Sequence, residues 1–286
     1  MKLKALFIFG LIVVSASLIS RFASAEKVAI QTPQVSAPEF RTASAFGESA
    51  RVSDLGKTIK SPNSSPKLKE NPLTPSATGL AETGERSTDG SIARISAVPM
   101  PTPSLSFNGL SNYDNIDVFS LLIIPPDLTG DVGPNHYVQV ANTLFQVYDK
   151  NGGALTLAIP LSSIFASLNT VCSTRNDGLP IVLYDPLADR WMISQYCQAF
   201  SPFRQMIAVS KTGDPTGDYY TYEFAMPNVK INDFPKFGVW PDGYYMSTEE
   251  FLGSDSVGTG MFAFDRTKML NGDPSASYVY FSRPSL

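Results

Sequence analysis

The chain has 286 residues, 43% of them hydrophobic and 17% charged, with a formal net charge of −4, 22 prolines and 11% aromatics. This is a globular composition enriched in turn formers and rings. From residue 105 onward 18 acidic side chains face 10 basic ones, and an acidic surface repels phosphate backbones, which excludes nucleic acid as a partner.

The first element is an export signal. Lys2 and Lys4 precede an apolar run from Ala5 to about Ile19, and Ala23-Ser24-Ala25 supplies the small-x-small site of a signal peptidase. Cleavage is expected after Ala25, which makes the mature protein soluble and secreted or periplasmic. An uncleaved anchor is the alternative, although the run is short of the roughly 20 apolar residues a span needs. No later segment is apolar enough to cross a bilayer.

Residues 26–104 contain no Tyr, no Trp and only two Phe, Phe40 and Phe46, among Ser, Pro, Thr, Ala and Lys. So little apolar surface does not offset the entropy of ordering a chain. The segment reads as a disordered linker stiffened locally by proline, either a spacer or a recognition tail for a partner.

From Leu105 the texture changes to short runs rich in Val, Ile, Tyr and Phe, separated by Gly, Asp, Pro and Asn. In chain order they are HYVQVAN, LFQVYD, PIVLYD, RWMISQY, QMIAVS, DYYTYEF, FGVW, YYMSTEEF, MFAFD and SYVYF, each predicted as a strand. Two stretches read as helical. One is 161–169; the other is DRTKMLNG, with Asp265 as the N-terminal cap and Gly272 as the C-terminal one.

The strands repeat. Tyr137, Trp191 and Tyr245 are successively 54 residues apart, and each follows a turn containing Pro or Asp and opens an aromatic strand. Gly213-Asp214-Pro215 and Gly272-Asp273-Pro274 precede tyrosine-rich strands at a spacing of 59. Three units of roughly 55 residues, each of about four strands, predict an all-β fold over 105–286: a partial β-propeller of about three four-stranded blades. Trp191, Trp240, Tyr220 and Phe237 are expected to fill the spaces between blades. An irregular β-sandwich is the alternative. Propellers close with four to eight blades. The chain is therefore expected to be a truncated copy of a longer protein, or to take its missing blades from another chain.

The motifs PPDLTGDVGPNHYVQV, PIVLYDPLADRW, TGDPTGDYYTYEF and FPKFGVWPDGYYM carry a likeness to known proteins. From Pro125 to about Pro274 the chain resembles a family of exported bacterial β-propeller-like proteins. The resemblance implies further residues beyond such a fragment and brings no established activity or catalytic role.

Cys172 and Cys197 are the only cysteines, and an oxidising compartment favours a bridge between them. A hairpin centred near Pro186–Ala188 brings position 197 close to about 178, a short loop from Cys172. Such a bridge is worth about 3 kcal/mol in the chain-entropy model. Two free buried thiols are the alternative.

Catalytic frameworks are scarce. There is no G-x-S-x-G, no phosphate-binding glycine loop, no dinucleotide fingerprint and no EF-hand loop, and the single histidine rules out H-E-x-x-H. His136 follows Gly133-Pro134-Asn135 and reads as a turn or strand-start residue. Glu249 and Glu250 fall on opposite faces of a strand, so neither forms a glycosidase pair without a partner such as Asp127, Asp131, Asp177 or Asp242. Calcium is the one cofactor to consider, with Asp127, Asp131, Asn176, Asp177, Asp242 and Asp255 as candidate ligand loops, against the competing reading of Asx-turns. The expected function is a secreted, non-catalytic binding or scaffolding protein whose loops meet a carbohydrate or protein surface. A secreted carbohydrate-active hydrolase is the alternative.

Overall fold

The computed structural model describes residues 34–56, 67–70 and 102–285. The expected export signal and its cleavage point lie outside these residues, as does most of the expected linker. The part of the linker that is described belongs to the fold. It contains β1 (Glu39–Thr42), β2 (Ala45–Glu48) and the one-turn helix α1 (Val52–Leu55), and further along β3 (Lys67–Glu70). After α2 (Asp114–Phe119) comes β4 (Leu121–Ile124), which pairs with β3 in parallel.

Three antiparallel meanders of four strands then follow in strict chain order. The first holds β5 (Leu128–Val132), β6 (His136–Ala141), β7 (Leu144–Asp149) and β8 (Ile159–Pro160). Two 3-10 segments, Leu161–Leu168 and Val171–Thr174, lead to the second meander: β9 (Ile181–Asp185), β10 (Arg190–Cys197), β11 (Arg204–Ser210) and β12 (Tyr219–Ala225). The third consists of β13 (Ile231–Val239), β14 (Tyr244–Leu252), β15 (Asp255–Phe264) and β16 (Ser277–Pro284), with helix α3 (Arg266–Leu270) inside its last connection. The fold is all-β and antiparallel apart from the β3–β4 pair. All ten sequence-predicted strands are present.

β2 adds a fifth strand to the second sheet at β12, and β1 a fifth to the third sheet at β16. The expectation of disorder is thus corrected over 34–56. A sheet edge offers a row of unpaired backbone groups, and pairing with it stabilises a segment whose own side chains cannot. Phe46, one of the two phenylalanines there, packs on Tyr222 with ring centroids 5.2 Å apart.

Alternation decides the core. The second sheet is buried on both faces. Trp191, Ile193, Met206 and Ala208 pack toward Val138, Val140, Phe145 and Val147 of the first sheet. Met192, Ile207, Val209, Tyr222 and Phe224 pack toward Tyr244, Met246, Phe262, Phe264, Tyr278 and Tyr280 of the third. The repeat is real in topology, but its third aromatic slips by one. Tyr137 and Trp191 open β6 and β10, yet in β14 it is Tyr244 that takes the buried place facing the preceding sheet, while Tyr245 is 43% exposed. One residue of slip reverses the face of every side chain along a strand. Trp240, expected between sheets, sits in the β13–β14 turn and is 65% exposed; Tyr220 and Phe237 do pack against the core.

The caps of α3 match the reading. The Asp265 side chain accepts the Lys268 N–H, and Gly272 turns the chain with φ +67°. Cys172 and Cys197 form a disulfide with Cα atoms 5.7 Å apart. The β9–β10 hairpin sets this up, bringing the Tyr196 N–H to the Gly178 carbonyl.

Candidate functional site

Each meander begins with a strand, and these three first strands are neighbours: β9 lies against both β5 and β13. Residues of these strands and of the chain just before two of them surround a cavity of about 270 Å³. The lining is three triplets: Asp127–Thr129 at the entry to β5, Leu179–Ile181 at the entry to β9 and Phe234–Lys236 in the middle of β13. Each triplet contains one residue in the left-handed region, with φ of +39° at Asp127, +52° at Leu179 and +51° at Phe234.

That coincidence has a physical cost. A left-handed backbone pushes Cβ toward the following carbonyl and costs an ordinary L-residue roughly 1–2 kcal/mol. Asp tolerates it, but Leu and Phe are outliers there. Pro180 and Pro235 follow the two, and proline disfavours right-handed helical backbone at the preceding residue. At Phe234 the chain also bulges, the β13–β14 register shifting between Asp233 and Lys236. Strained residues of this kind gather at ligand clamps, where the surrounding fold holds them.

The chemistry of the cavity is mixed. Leu128, Leu179, Pro180, Ile181, Phe234 and Pro235 give apolar walls, while Asp127, Thr129 and Lys236 give polar ones. Lys236 Nζ stands 3.8 Å over the Phe234 ring, a cation–π contact at the rim. Beside it, burial pushes the Asp233 carboxyl above the usual carboxylate range, against the hydrogen bond from the Phe234 N–H and with the help of Glu249.

The other candidate residues fall elsewhere. Asp131 ties β5 to β9, its Oδ2 accepting the Tyr184 N–H at 2.7 Å and its Oδ1 the Val132 N–H. Asp177 takes both the Arg175 guanidinium, at 2.8 and 2.9 Å, and the Gln198 N–H. Asn176 exchanges hydrogen bonds with Ser162. Asp242 accepts from the Tyr245 hydroxyl in the β13–β14 turn, and Asp255 opens β15 beside Ser254. Of the six, Asp127 alone lines the cavity. Among the described residues no three His, Cys, Asp or Glu side chains gather as a metal-holding group. His136 starts β6 with its carbonyl accepting the Gly133 N–H.

Glu249 and Glu250 do face opposite ways: Glu249 is exposed and Glu250 buried. Glu250 accepts hydrogen bonds from Lys230 at 2.7 Å, Ser282 at 2.9 Å and the Tyr280 hydroxyl. This network joins β14 to β16 and the β12–β13 loop and lies outside the cavity lining.

Leu179, Phe234 and Lys236 were not singled out from the sequence. The available signal was the dipeptide pair Leu179-Pro180, just before β9, and Phe234-Pro235, in the middle of β13. Comparison of the chain with family models, curated proteins and solved structures returns no match.

Proposed function

We propose that the three meanders are blades of a partial β-propeller and that the protein is an exported, non-catalytic binding or scaffolding protein. Its ligand enters the cavity where the first strands of the blades converge. The observation that carries this reading is the ring of three left-handed residues, one per blade, around a single cavity. In open β architectures a rigid scaffold that holds strained backbone at one end positions a recognition surface. The apolar walls with Lys236, Thr129 and Asp127 suit a small amphipathic group, such as one ring of a surface glycan or a protein side chain. Asp127 is the one carboxylate of the lining, whereas glycoside hydrolysis uses two facing the same bond.

The test is a glycan array and a panel of chromogenic glycosides run on the purified protein and on Lys236→Glu. Binding that weakens about tenfold or more in the variant, without turnover, is the expected result. Turnover of any glycoside, or binding indifferent to Lys236, overturns the reading.

A further inference from the structure

From residue 105 onward acids outnumber bases, and most cations there have found a partner. Arg175 holds Asp177, Arg204 holds Glu223, Lys230 holds Glu250 and Arg266 holds Asp185. Lys150 and Arg190 donate to main-chain carbonyls instead. Lys236 does neither among the described residues. Its ammonium stands over the Phe234 ring at the rim of the cavity, as the one cation of the lining. The one anion of the lining, Asp127, sits at the entry to β5, and β9 lies against both β5 and β13. Cation and anion thus belong to different walls, with Leu179, Pro180 and Ile181 between them.

We propose that the group this cavity takes is a hexuronate, the carboxylate-bearing ring of an acidic glycan; the proposal rests on the binding reading above and names its ligand class. The volume of about 270 Å³ lies just under the roughly 300–1,000 Å³ of pockets for drug-sized ligands, which suits a single ring. Each wall selects one part of that ring. The Lys236 ammonium is a point charge with donors only, so it pairs with an acceptor, and a charge-assisted bond to a carboxylate is about twice as strong as one to a neutral oxygen. A carboxylate such as Asp127 only accepts, so it repels a second carboxylate and takes hydroxyl donors. Thr129 donates and accepts. Pro180, Pro235 and the Phe234 ring offer apolar surface to the C–H face of a pyranose. One carboxylate, several hydroxyls and an apolar face on one ring describe a hexuronate. A neutral hexose leaves Lys236 without its anion. An acidic peptide side chain brings the carboxylate but no hydroxyls for Asp127. The surplus of acids elsewhere on the domain does not decide the matter, because at physiological salt exposed charges beyond about 8 Å are largely screened.

Calorimetric titration of the purified full chain compares matched oligosaccharides that differ only at C6: oligogalacturonate and oligoglucuronate, their methyl esters, and the neutral hexose oligomers in the same linkages. At least one uronate is expected to bind about tenfold or more tightly than its ester and its neutral counterpart. Lys236→Gln is expected to erase that preference and Lys236→Arg, which keeps the charge, to retain most of it. Lys236 is exposed, and unchanged melting curves confirm that each variant folds. A wild type that binds an ester or a neutral sugar as tightly as the uronate, with binding that still weakens in Lys236→Glu, overturns the inference and leaves the binding reading standing. Lys236-dependent binding of a peptide with acidic side chains, with no uronate bound, does the same. A uronate preference that survives Lys236→Gln places the carboxylate elsewhere and overturns the inference. Binding of neither sugars nor acidic peptides overturns both.

Discussion

Arg266 reaches back 81 positions to grip Asp185, Nε–H donating to Oδ2 at 2.7 Å and Nη2–H to Oδ1 at 3.0 Å. The Tyr244 hydroxyl donates to the same Oδ2 at 2.8 Å. Asp185 belongs to the second sheet and both partners to the third meander, so the trio pins one sheet to the next. A buried pair adds little net stability over a hydrophobic replacement, but stripping one partner leaves an uncompensated charge. Arg266→Ala is expected to destabilise by about 3–5 kcal/mol in urea titration, and Asp185→Asn combined with Arg266→Met by clearly less.

The same carboxyl couples stability to acidity. Burial raises its pKa, yet the hydrogen bonds from Arg266 and Tyr244 outweigh that and leave it below 3.8. A carboxyl depressed on folding contributes stability above its unfolded pKa of about 3.9, and that contribution is lost as pH falls through the folded value. Melting curves of wild type and Asp185→Asn are expected to differ most near neutrality and to converge below about pH 4. A difference that stays constant down to the lowest pH contradicts the assignment.

The disulfide closes a loop of 25 residues around β9 and most of β10. Its removal is expected to cost about 3 kcal/mol through the entropy of the unfolded chain. Urea unfolding with and without reductant, compared with the Cys172→Ser, Cys197→Ser pair, reads this directly. Equal midpoints would show that the loop is already restrained in the unfolded state.

Phe234 separates backbone strain from side-chain packing, because its ring is 60% exposed while its φ is +51°. Glycine adopts that conformation freely and a β-branched residue does not. Phe234→Gly is therefore expected to exceed Phe234→Val in stability by about 1–2 kcal/mol. Both remove part of the cavity wall, so both are expected to weaken ligand binding.

Tyr196 lies on the buried face of β10 toward the third sheet, and its hydroxyl has no hydrogen-bond partner among the described residues. Burial holds its pKa far above the ordinary tyrosine value. Phe fills the same space without a desolvated hydroxyl, so Tyr196→Phe is expected to be neutral or stabilising by up to about 1 kcal/mol. A loss of stability would reveal a partner for the hydroxyl.

Alternation of apolar and polar residues over four to eight positions is a local signal, and it made ten strands, the β9–β10 hairpin, the Asp265 cap and the Cys172–Cys197 bridge legible. β1, β2 and β5 were not legible. Phe40, Phe46 and Leu128 sit in segments too polar to announce strands, and they become strands because a neighbouring edge supplies their hydrogen bonds. Asp127 was legible only as one of six candidate calcium-loop residues, with nothing local to set it apart from the other five. Leu179 and Phe234 carry no chemistry that a motif search would find, and their place at the cavity is a matter of backbone conformation.

Composition and period by themselves determined that this is an all-β protein of three successive units with one disulfide. Those properties follow from hydrophobic alternation and turn residues that act within a few positions. Only the tertiary structure decided which face of each strand is inside, since the 54-residue spacing pointed to Tyr245 and packing chose Tyr244. It likewise decided that a polar segment near the N-terminus would complete two sheets, and that three distant triplets would share one cavity. These outcomes depend on contacts between residues 50 to 240 positions apart, whose free energy no local pattern encodes.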